Sequence, residues 1–425
     1  MNPREAAVKA LYKIEAEGKY FTEAVLEAQS GFETKDRAFI NELVTGVFRN
    51  KLYIDFIIES YSKIKLKKLS IWILQILRIG VYQLVFMEKV PSSAACNESV
   101  KLAARYGHAA SKGYVNGVLR TVSRHTEALP VPSGSVLTRY SILYSCQIWL
   151  CERFISQFGE ERAELILKDS LKPHRTSVRV NTLKTTAEDL VKELSDEGIK
   201  GSIDKDEKDC IWIDGAINIK KSKAYSDGKY TLQNINSMRA VKELSPKPDE
   251  TVIDMCAAPG GKTTYMAEMM KNTGKISAFD IHPHKIELIN NAAKRLGIDI
   301  IDASVGNSEK PVPELKGCAD RVLADVPCSG TGVIHKKPDI KYNRTKEDID
   351  ELLKIQRNIL NTAAEYVKKG GDIVYSTCSI LKEENTEIVD GFLAENKGFK
   401  KESERLYLAH ETGGSGFYIC RLRKI

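Results

Sequence analysis

The stretch Thr251-Val-Ile-Asp-Met-Cys-Ala-Ala-Pro-Gly-Gly-Lys-Thr-Thr264 decides how the C-terminal part of this chain folds. An apolar strand, TVIDM, runs into a turn of small residues and then into a helix. That order opens a doubly wound α/β domain, in which ligands lie on backbone at the C-terminal ends of the strands. The GKT ending invites a P-loop reading, but a P-loop needs glycine where Cys256 stands. A full G-x-G-x-x-G is also missing, so nicotinamide or flavin binding is only weakly supported. What remains is a compact turn, Cys256, Ala257, Ala258, Pro259, Gly260, Gly261 and Lys262, that lets a ligand rest on bare backbone.

Downstream, strands and amphipathic helices alternate. KISAFD (275–280), IIDASV (300–305), RVLADV (321–326) and DIVYSTC (372–378) are expected strands, with helices over His284–Leu296 and Lys346–Lys368. Thr345 with Asp348 forms a capping-box start for the second helix, and Gly370 follows its end. A last pair of strands around ETGGSG (411–416) would add an antiparallel edge hairpin. The prediction is a Rossmann-like domain with a mainly parallel sheet. Its second strand ends in Asp280, placed to accept ribose hydroxyls; the competing role is a helix N-cap before HPHK. Loop and carboxylate together favour S-adenosylmethionine, whose sulfonium needs no phosphate cradle, and no metal is expected.

Upstream the pattern changes twice. Residues 1–140 are expected to be all helical, beginning at Asn2-Pro3 and continuing through Arg37–Glu59, Leu69–Met87, Ser92–Tyr106 and Lys112–Arg124. Residues 141–240 mix helices (146–158, 160–170, 186–197) with strands (177–184, 210–214), an expected α+β module; residues 241–425 are expected to form the Rossmann-like domain. The seams are EALPVPSGS and Ser-Pro-Lys-Pro-Asp. Of the 64 Lys/Arg and 57 Asp/Glu in the 425 residues, 20 and 13 fall in the first 140, so that segment carries the whole net charge of +7. An anionic partner is therefore expected there first. LSIWILQILRIGVYQLVFM (69–87) is interrupted by Gln75, Arg78 and Gln83 and reads as a buried helix rather than a membrane span. Nine cysteines without a CxxC pair, and no signal peptide at the N-terminus, are those of a reducing cytoplasm.

Two of those cysteines end expected strands: Asp325-Val-Pro-Cys328 and Ser376-Thr-Cys378. A lone cysteine is usually a small buried hydrophobe, and the other seven are read so. At the ligand face of an α/β sheet the pair has a sharper meaning. Carbon 5 of cytosine becomes nucleophilic only after a thiolate adds at carbon 6 and an acid protonates N3; a base must then remove the carbon 5 proton. Asp325 is the natural partner of N3 and the exocyclic amine. Adenine-N6 methyltransferases carry Asn/Asp-Pro-Pro-aromatic where this chain has Asp-Val-Pro-Cys, which argues for a carbon target.

DMCAAPGGKTT, FDIHPHKI, ADVPCSGTGVIHKKPDIKY and VYSTCSILKEENTEIV, in that order, resemble the RNA cytosine-5 methyltransferases of the Nop2/Sun group. HRTSVRVNTLKTT resembles the RNA-binding module before their catalytic domain, and the helical N-terminal part resembles the NusB-like domain of the bacterial ribosomal small-subunit methyltransferase B branch. The resemblance implies Cys378 as nucleophile, Cys328 in product release, Asp325 on cytosine and near the cofactor, and Cys256 to Lys262 with Asp280 around S-adenosylmethionine. An acid usually contacts the adenine amine after the third strand; Asn307 takes its place here, with Asp302 as the alternative. The implied substrate is 16S rRNA, free or in early assembly, at the cytosine numbered 967; a tRNA cytosine-5 methyltransferase and a non-catalytic assembly factor are the alternatives. DNA, membrane and an obligate protein partner are not expected. Lys63, Lys65, Lys67 and Lys68, and the run His335-Lys-Lys-Pro-Asp-Ile-Lys341, are candidate phosphate contacts.

Overall fold

Asn2 caps the first helix as expected: its side chain accepts from the Glu5 amide, and Pro3, with no amide hydrogen to lose, occupies the first turn of α1 (Pro3–Glu17). The computed structural model describes residues 2–215 and 218–425. In it, α1 packs with α2 (Phe21–Ala28), α3 (Thr34–Arg49), α4 (Lys51–Tyr61), α5 (Ile71–Phe86), α6 (Ser92–Tyr106) and α7 (Ala109–Arg124) around one apolar core. Arg37–Glu59 is two helices rather than one. At Asn50 the side-chain amide donates to the Gly46 carbonyl at 2.9 Å, and the chain turns there out of α3 into α4.

Arg78 explains why α5 is not a membrane span. Its guanidinium grips both carboxylate oxygens of Asp55 at 2.7 Å and reaches Glu15 at 3.0 Å. Burial disfavours the cation, but those two carboxylates hold its pKa above the usual arginine value. Among the described residues no helix is long and apolar enough to cross a membrane.

Contacts divide the chain into two units: Met1–Lys172 with Lys337–Asn343, and Pro173–Lys336 with Arg344–Ile425. By packing, α8 (Val136–Leu143), α9 (Ile148–Phe158) and α10 (Glu160–Asp169) thus go with the helical bundle. The second unit opens with a small antiparallel sheet of order β2-β3-β1-β4, made by β1 (Thr176–Val180), β2 (Gly201–Ile203), β3 (Cys210–Ile213) and β4 (Tyr230–Leu232). Helices α11 (Ala187–Asp196), α12 (Lys223–Ser226) and α13 (Ile235–Leu244) accompany it.

The large sheet has the order β10-β11-β9-β8-β5-β6-β7. Its parallel part is β5 (Thr251–Asp254), β6 (Lys275–Asp280), β7 (Ile301–Val305), β8 (Ala319–Asp325) and β9 (Val367–Thr377). As expected, β10 (Phe399–Tyr407) and β11 (Phe417–Lys424) add an antiparallel edge. Helices α14 (Gly261–Met269), α15 (Pro283–Leu296), α16 (Ile340–Asn343), α17 (Lys346–Tyr366), α18 (Thr386–Glu395) and α19 (Ala409–Thr412) complete the order. From β5 the chain fills the sheet first toward β7 and then, through β8, toward β10, so the switch point where α/β folds bind ligands lies at the C-terminal ends of β5 and β8. The Thr345–Asp348 capping box is present. Gly370 does not end α17; Val367 does, and Gly370, at φ +77°, lies within β9, where the pairing with β8 shifts register.

The segment 337–343 packs within the helical unit. Lys341 Nζ donates to the carbonyls of Arg49 (2.9 Å) and Tyr144 (3.0 Å), and Tyr342 donates to that of Phe48 at 2.7 Å. Burial lowers the Lys341 pKa to about 8. This lysine is spent on backbone carbonyls, which removes it from the expected phosphate-binding run; Lys336 and Lys337 remain exposed.

Candidate active site

The turn after β5 has the compactness its small residues predict. Ala258–Pro259 is cis, and Gly260 has φ +98°. The positive φ favours glycine, and a Cβ there would stand a tight 3.2 Å from the Ile289 Cα of α15. The turn delivers the N-terminus of α14 to the switch point. Beside it a cleft of about 190 Å³ is lined by Cys256–Pro259, Gly261, Lys262, Asp254 and Asp325, and by Leu232, Gln233, Asn234 and Ser237 ahead of and within α13.

Asp280 ends β6 and is 7% exposed. Its Oδ1 accepts from the His282 amide at 3.1 Å, but His282, not Asp280, is the N-cap of α15. Asn307 lies just past the end of β7; Gly306 before it donates to the Asp280 carbonyl at 3.1 Å. Asn307 Oδ1 accepts from the Glu309 amide at 3.0 Å. Asp302 pairs with Ser277 lower in the sheet and faces Lys275 at 3.6 Å, away from the strand ends. The fold therefore brings the turn, Asp280 and Asn307 to one edge and leaves Asp302 out.

Asp325, at the end of β8, holds two partners: Lys262 Nζ donates to Oδ2 at 2.6 Å and Ser376 Oγ to Oδ1 at 2.7 Å. Burial alone would discharge Lys262; Asp325, and more weakly Cys378, instead keep its pKa above the ordinary lysine value. The sulfurs of Cys328 and Cys378 stand 3.2 Å apart. The hydrogen bond with Cys378, and then burial, push the Cys328 thiol well up. The other seven cysteines are free thiols too, and Cys96, Cys146, Cys151, Cys210 and Cys420 are buried. Among the described residues no group of three or more His, Cys, Asp or Glu could hold a metal ion.

Sequence reading missed what holds the two cysteine loops. Glu384, fully buried, accepts from the Ser329 amide at 2.7 Å, from the Ser329 hydroxyl and from Gln356 at 3.1 Å; Gln356 also donates to the Pro327 carbonyl at 3.0 Å. Asn385 ties Thr377 to the Ser379 carbonyl. Gly332 donates to the Cys378 carbonyl at 2.9 Å, and a Cβ there would collide with the Gly416 carbonyl at 2.2 Å. Arg179 of β1 was missed as well. Its guanidinium binds Glu268, Thr264 and the Gly261 carbonyl on α14, and the Gln233 carboxamide.

A family model described as 16S rRNA methyltransferase RsmB/F matches residues 241–423. The NusB family matches 1–124, and an RsmF/B-like ferredoxin-like domain matches 148–220. The probable ribosomal RNA small subunit methyltransferase B of Bacillus subtilis is 35% identical across 99% of this chain and 98% of its own. This chain belongs to the RsmB/F methyltransferase family. A second RsmB/F relative, ribosomal RNA small subunit methyltransferase B of Proteus mirabilis, is 31% identical over 100% of this chain and 99% of its own. The crystal structure of PH0851 matches with a TM-score of 0.83 and 29% identity, covering 100% of this chain and 99% of that one. NSun6 from Pyrococcus horikoshii with SFG gives a TM-score of 0.59 at 24% identity, over 65% of this chain and 97% of that one, a likeness of fold. The family membership read from the motifs is thereby confirmed, as is the RsmB/F architecture of NusB-like, ferredoxin-like and methyltransferase domains.

Proposed function

We propose that this RsmB/F protein methylates carbon 5 of a cytosine in 16S rRNA, by family resemblance cytosine 967, through a covalent adduct at carbon 6. The observation that carries the reading is the pair of sulfurs 3.2 Å apart beside the Lys262–Asp325 pair. S-adenosylmethionine supplies the electrophilic methyl group, with the turn Cys256–Lys262, Asp280 and Asn307 around it. The target base is flipped out of its stack or presented in a loop. Exposed Lys63, Lys65, Lys67 and Lys68 of the basic helical domain offer phosphate contacts.

The proton shared by the two sulfurs stays on Cys328, whose thiol is held up, so Cys378 adds to carbon 6 as the thiolate. Asp325 engages N3 and the exocyclic amine, and the Lys262 ammonium behind it supplies the proton that the ring takes up. After methylation Cys378 is a thioether and no longer raises the Cys328 pKa. Cys328, having lost its own proton to solvent, then accepts the carbon 5 proton, the ring returns its N3 proton to the Lys262 amine, and the carbon–sulfur bond to Cys378 breaks with its electron pair on sulfur, releasing 5-methylcytosine and regenerating the thiolate.

Bisulfite sequencing of rRNA and tRNA from cells with and without the gene tests the assignment. Loss of one 16S rRNA mark is expected. Loss of a tRNA mark alone would replace the substrate, and loss of neither would leave an RNA-binding assembly factor.

A further inference from the structure

Cys146 and Cys151 lie thiol to thiol, but neither has any exposure to solvent, so no solute reaches them. Cys328 and Cys378 also meet, with sulfurs 3.2 Å apart, and both are partly exposed. Access, rather than proximity, sets the second pair apart.

The backbone holds that pair face to face. β8 and β9 are hydrogen-bonded neighbours with Asp325 opposite Ser376, so the two cysteines follow adjacent strand ends. Adjacent strands run about 4.8 Å apart, inside the separation of about 4.4–6.8 Å between the Cα atoms of a disulfide. Past the strands the two loops are stitched together. The Thr331 and Ser379 hydroxyls are 2.9 Å apart, the Ile380 amide donates to Thr331 Oγ1 at 3.1 Å, and the Gly332 amide donates to the Cys378 carbonyl at 2.9 Å. A sulfur–sulfur bond of about 2.05 Å therefore asks for an approach of about 1 Å, which side-chain rotation supplies without refolding either loop.

We propose that Cys328 and Cys378 form a site of reversible oxidation by peroxides, closing to a disulfide that stops methyl transfer and shields the nucleophile from irreversible damage. The Cys378 thiolate attacks one oxygen of hydrogen peroxide: a sulfur–oxygen bond forms, the oxygen–oxygen bond breaks, and hydroxide leaves, giving a sulfenic acid. Cys328 then attacks that sulfur. The sulfur–sulfur bond forms, the sulfur–oxygen bond breaks, and the hydroxyl departs with the Cys328 proton as water. A dithiol restores both thiols by exchange and is itself oxidised. The choice of Cys378 as the attacking sulfur, and the loss of activity, rest on the methyl-transfer roles proposed above; the sulfur contact does not. Cys328 thereby gains a second task, that of resolving the sulfenic acid before further peroxide reaches it.

Full-length protein exposed to hydrogen peroxide without RNA or cofactor, then alkylated, digested and weighed by mass spectrometry, tests this. A peptide pair joined through Cys328 and Cys378 is expected, and dithiothreitol should separate it. Methyl transfer to rRNA should fall by about tenfold or more as the link forms and return to within about twofold after dithiothreitol. Cys328→Ala should form no link and instead carry sulfinic or sulfonic acid on Cys378, which dithiothreitol does not reverse. Cys318→Ser, outside the site, should behave as the unaltered protein. Absence of the link, a link between other cysteines, or a link that leaves methyl transfer unchanged overturns the proposal. If the untreated protein transfers no methyl group, the methyl-transfer reading falls, while the linked peptide still decides whether the pair is an oxidation site.

Discussion

Arg179 and Glu268 form an ion pair with Nη2 to Oε1 at 2.6 Å, and neither side chain has any exposure to solvent. The pair joins β1 of the ferredoxin-like sheet to α14, the helix that follows the turn after β5. Burial pushes Glu268 toward protonation, and Arg179 opposes that shift. Arg179→Met would leave a carboxylate buried and uncompensated, at a cost of about 3–5 kcal/mol. The double variant Arg179→Met with Glu268→Leu should recover much of it. Urea unfolding followed by circular dichroism measures both, and a single variant costing less than about 1 kcal/mol would show that the pair contributes little.

Glu384 holds the Pro-Cys loop through Ser329 and Gln356. Glu384→Ala strands three donors in a dry site, where each costs about 1–3 kcal/mol. The midpoint of thermal unfolding should fall by several degrees, and turnover should fall with little change in the KM for RNA, because the loop carries Cys328 and not the phosphate contacts. An unchanged turnover number would separate this clamp from the chemistry.

These two residues also show what the sequence could and could not tell. The strand ends were legible because turn chemistry is local: a small-residue turn, Asp-Val-Pro-Cys and Ser-Thr-Cys each announce themselves. Glu384 sits in KEEN, which reads as a solvated helix start, and only the fold brings Ser329 and Gln356 to it. Arg179 in SVRV looks like the outward residue of an alternating strand, yet α14 covers that face. Lys341 looks like a phosphate contact because its run is basic, while its carbonyl partners lie at the ends of α3 and α8, nearly two hundred residues or more away in sequence. Asn50 divides an unbroken apolar period because its side chain competes for a backbone carbonyl, which periodicity cannot see.

The cysteine roles predict two different failures. Cys378→Ala should abolish methyl transfer and adduct formation together. Cys328→Ala should leave a covalent protein–RNA species that survives a denaturing gel, since the nucleophile remains and release is impaired. An adduct that requires Cys328 and not Cys378 would reverse the assignment.

Asp254 gives stability a pH dependence of calculable sign. Burial raises its pKa from 3.8 to about 7, with Thr263 opposing the shift, Asp325 of β8 reinforcing it, and Lys262 and the Cys256 amide opposing it. The folded state therefore holds this proton more tightly than the unfolded chain, so ionisation destabilises the fold progressively as pH rises from about 4 to about 7. Asp254→Asn lacks that penalty. Its stability relative to the unaltered protein should climb across that window, by a few kcal/mol at most, and level off above it. A difference independent of pH would place the titration elsewhere.

The basic run after the Pro-Cys loop can be divided by salt dependence. Each phosphate contact to a single strand contributes about 0.7 to the slope of log affinity against log salt. Lys336→Ala and Lys337→Ala should each reduce that slope by up to this amount, because both residues are exposed, with Lys336 giving the smaller change since partial burial lowers its pKa. Lys341→Met should leave the slope unchanged and instead lower stability, since the carbonyls of Arg49 and Tyr144 lose their donor. Filter binding of an rRNA fragment across a salt series, paired with thermal unfolding of each variant, measures the two effects separately. A reduced slope for Lys341→Met would mean that its ammonium leaves the helical unit when RNA binds.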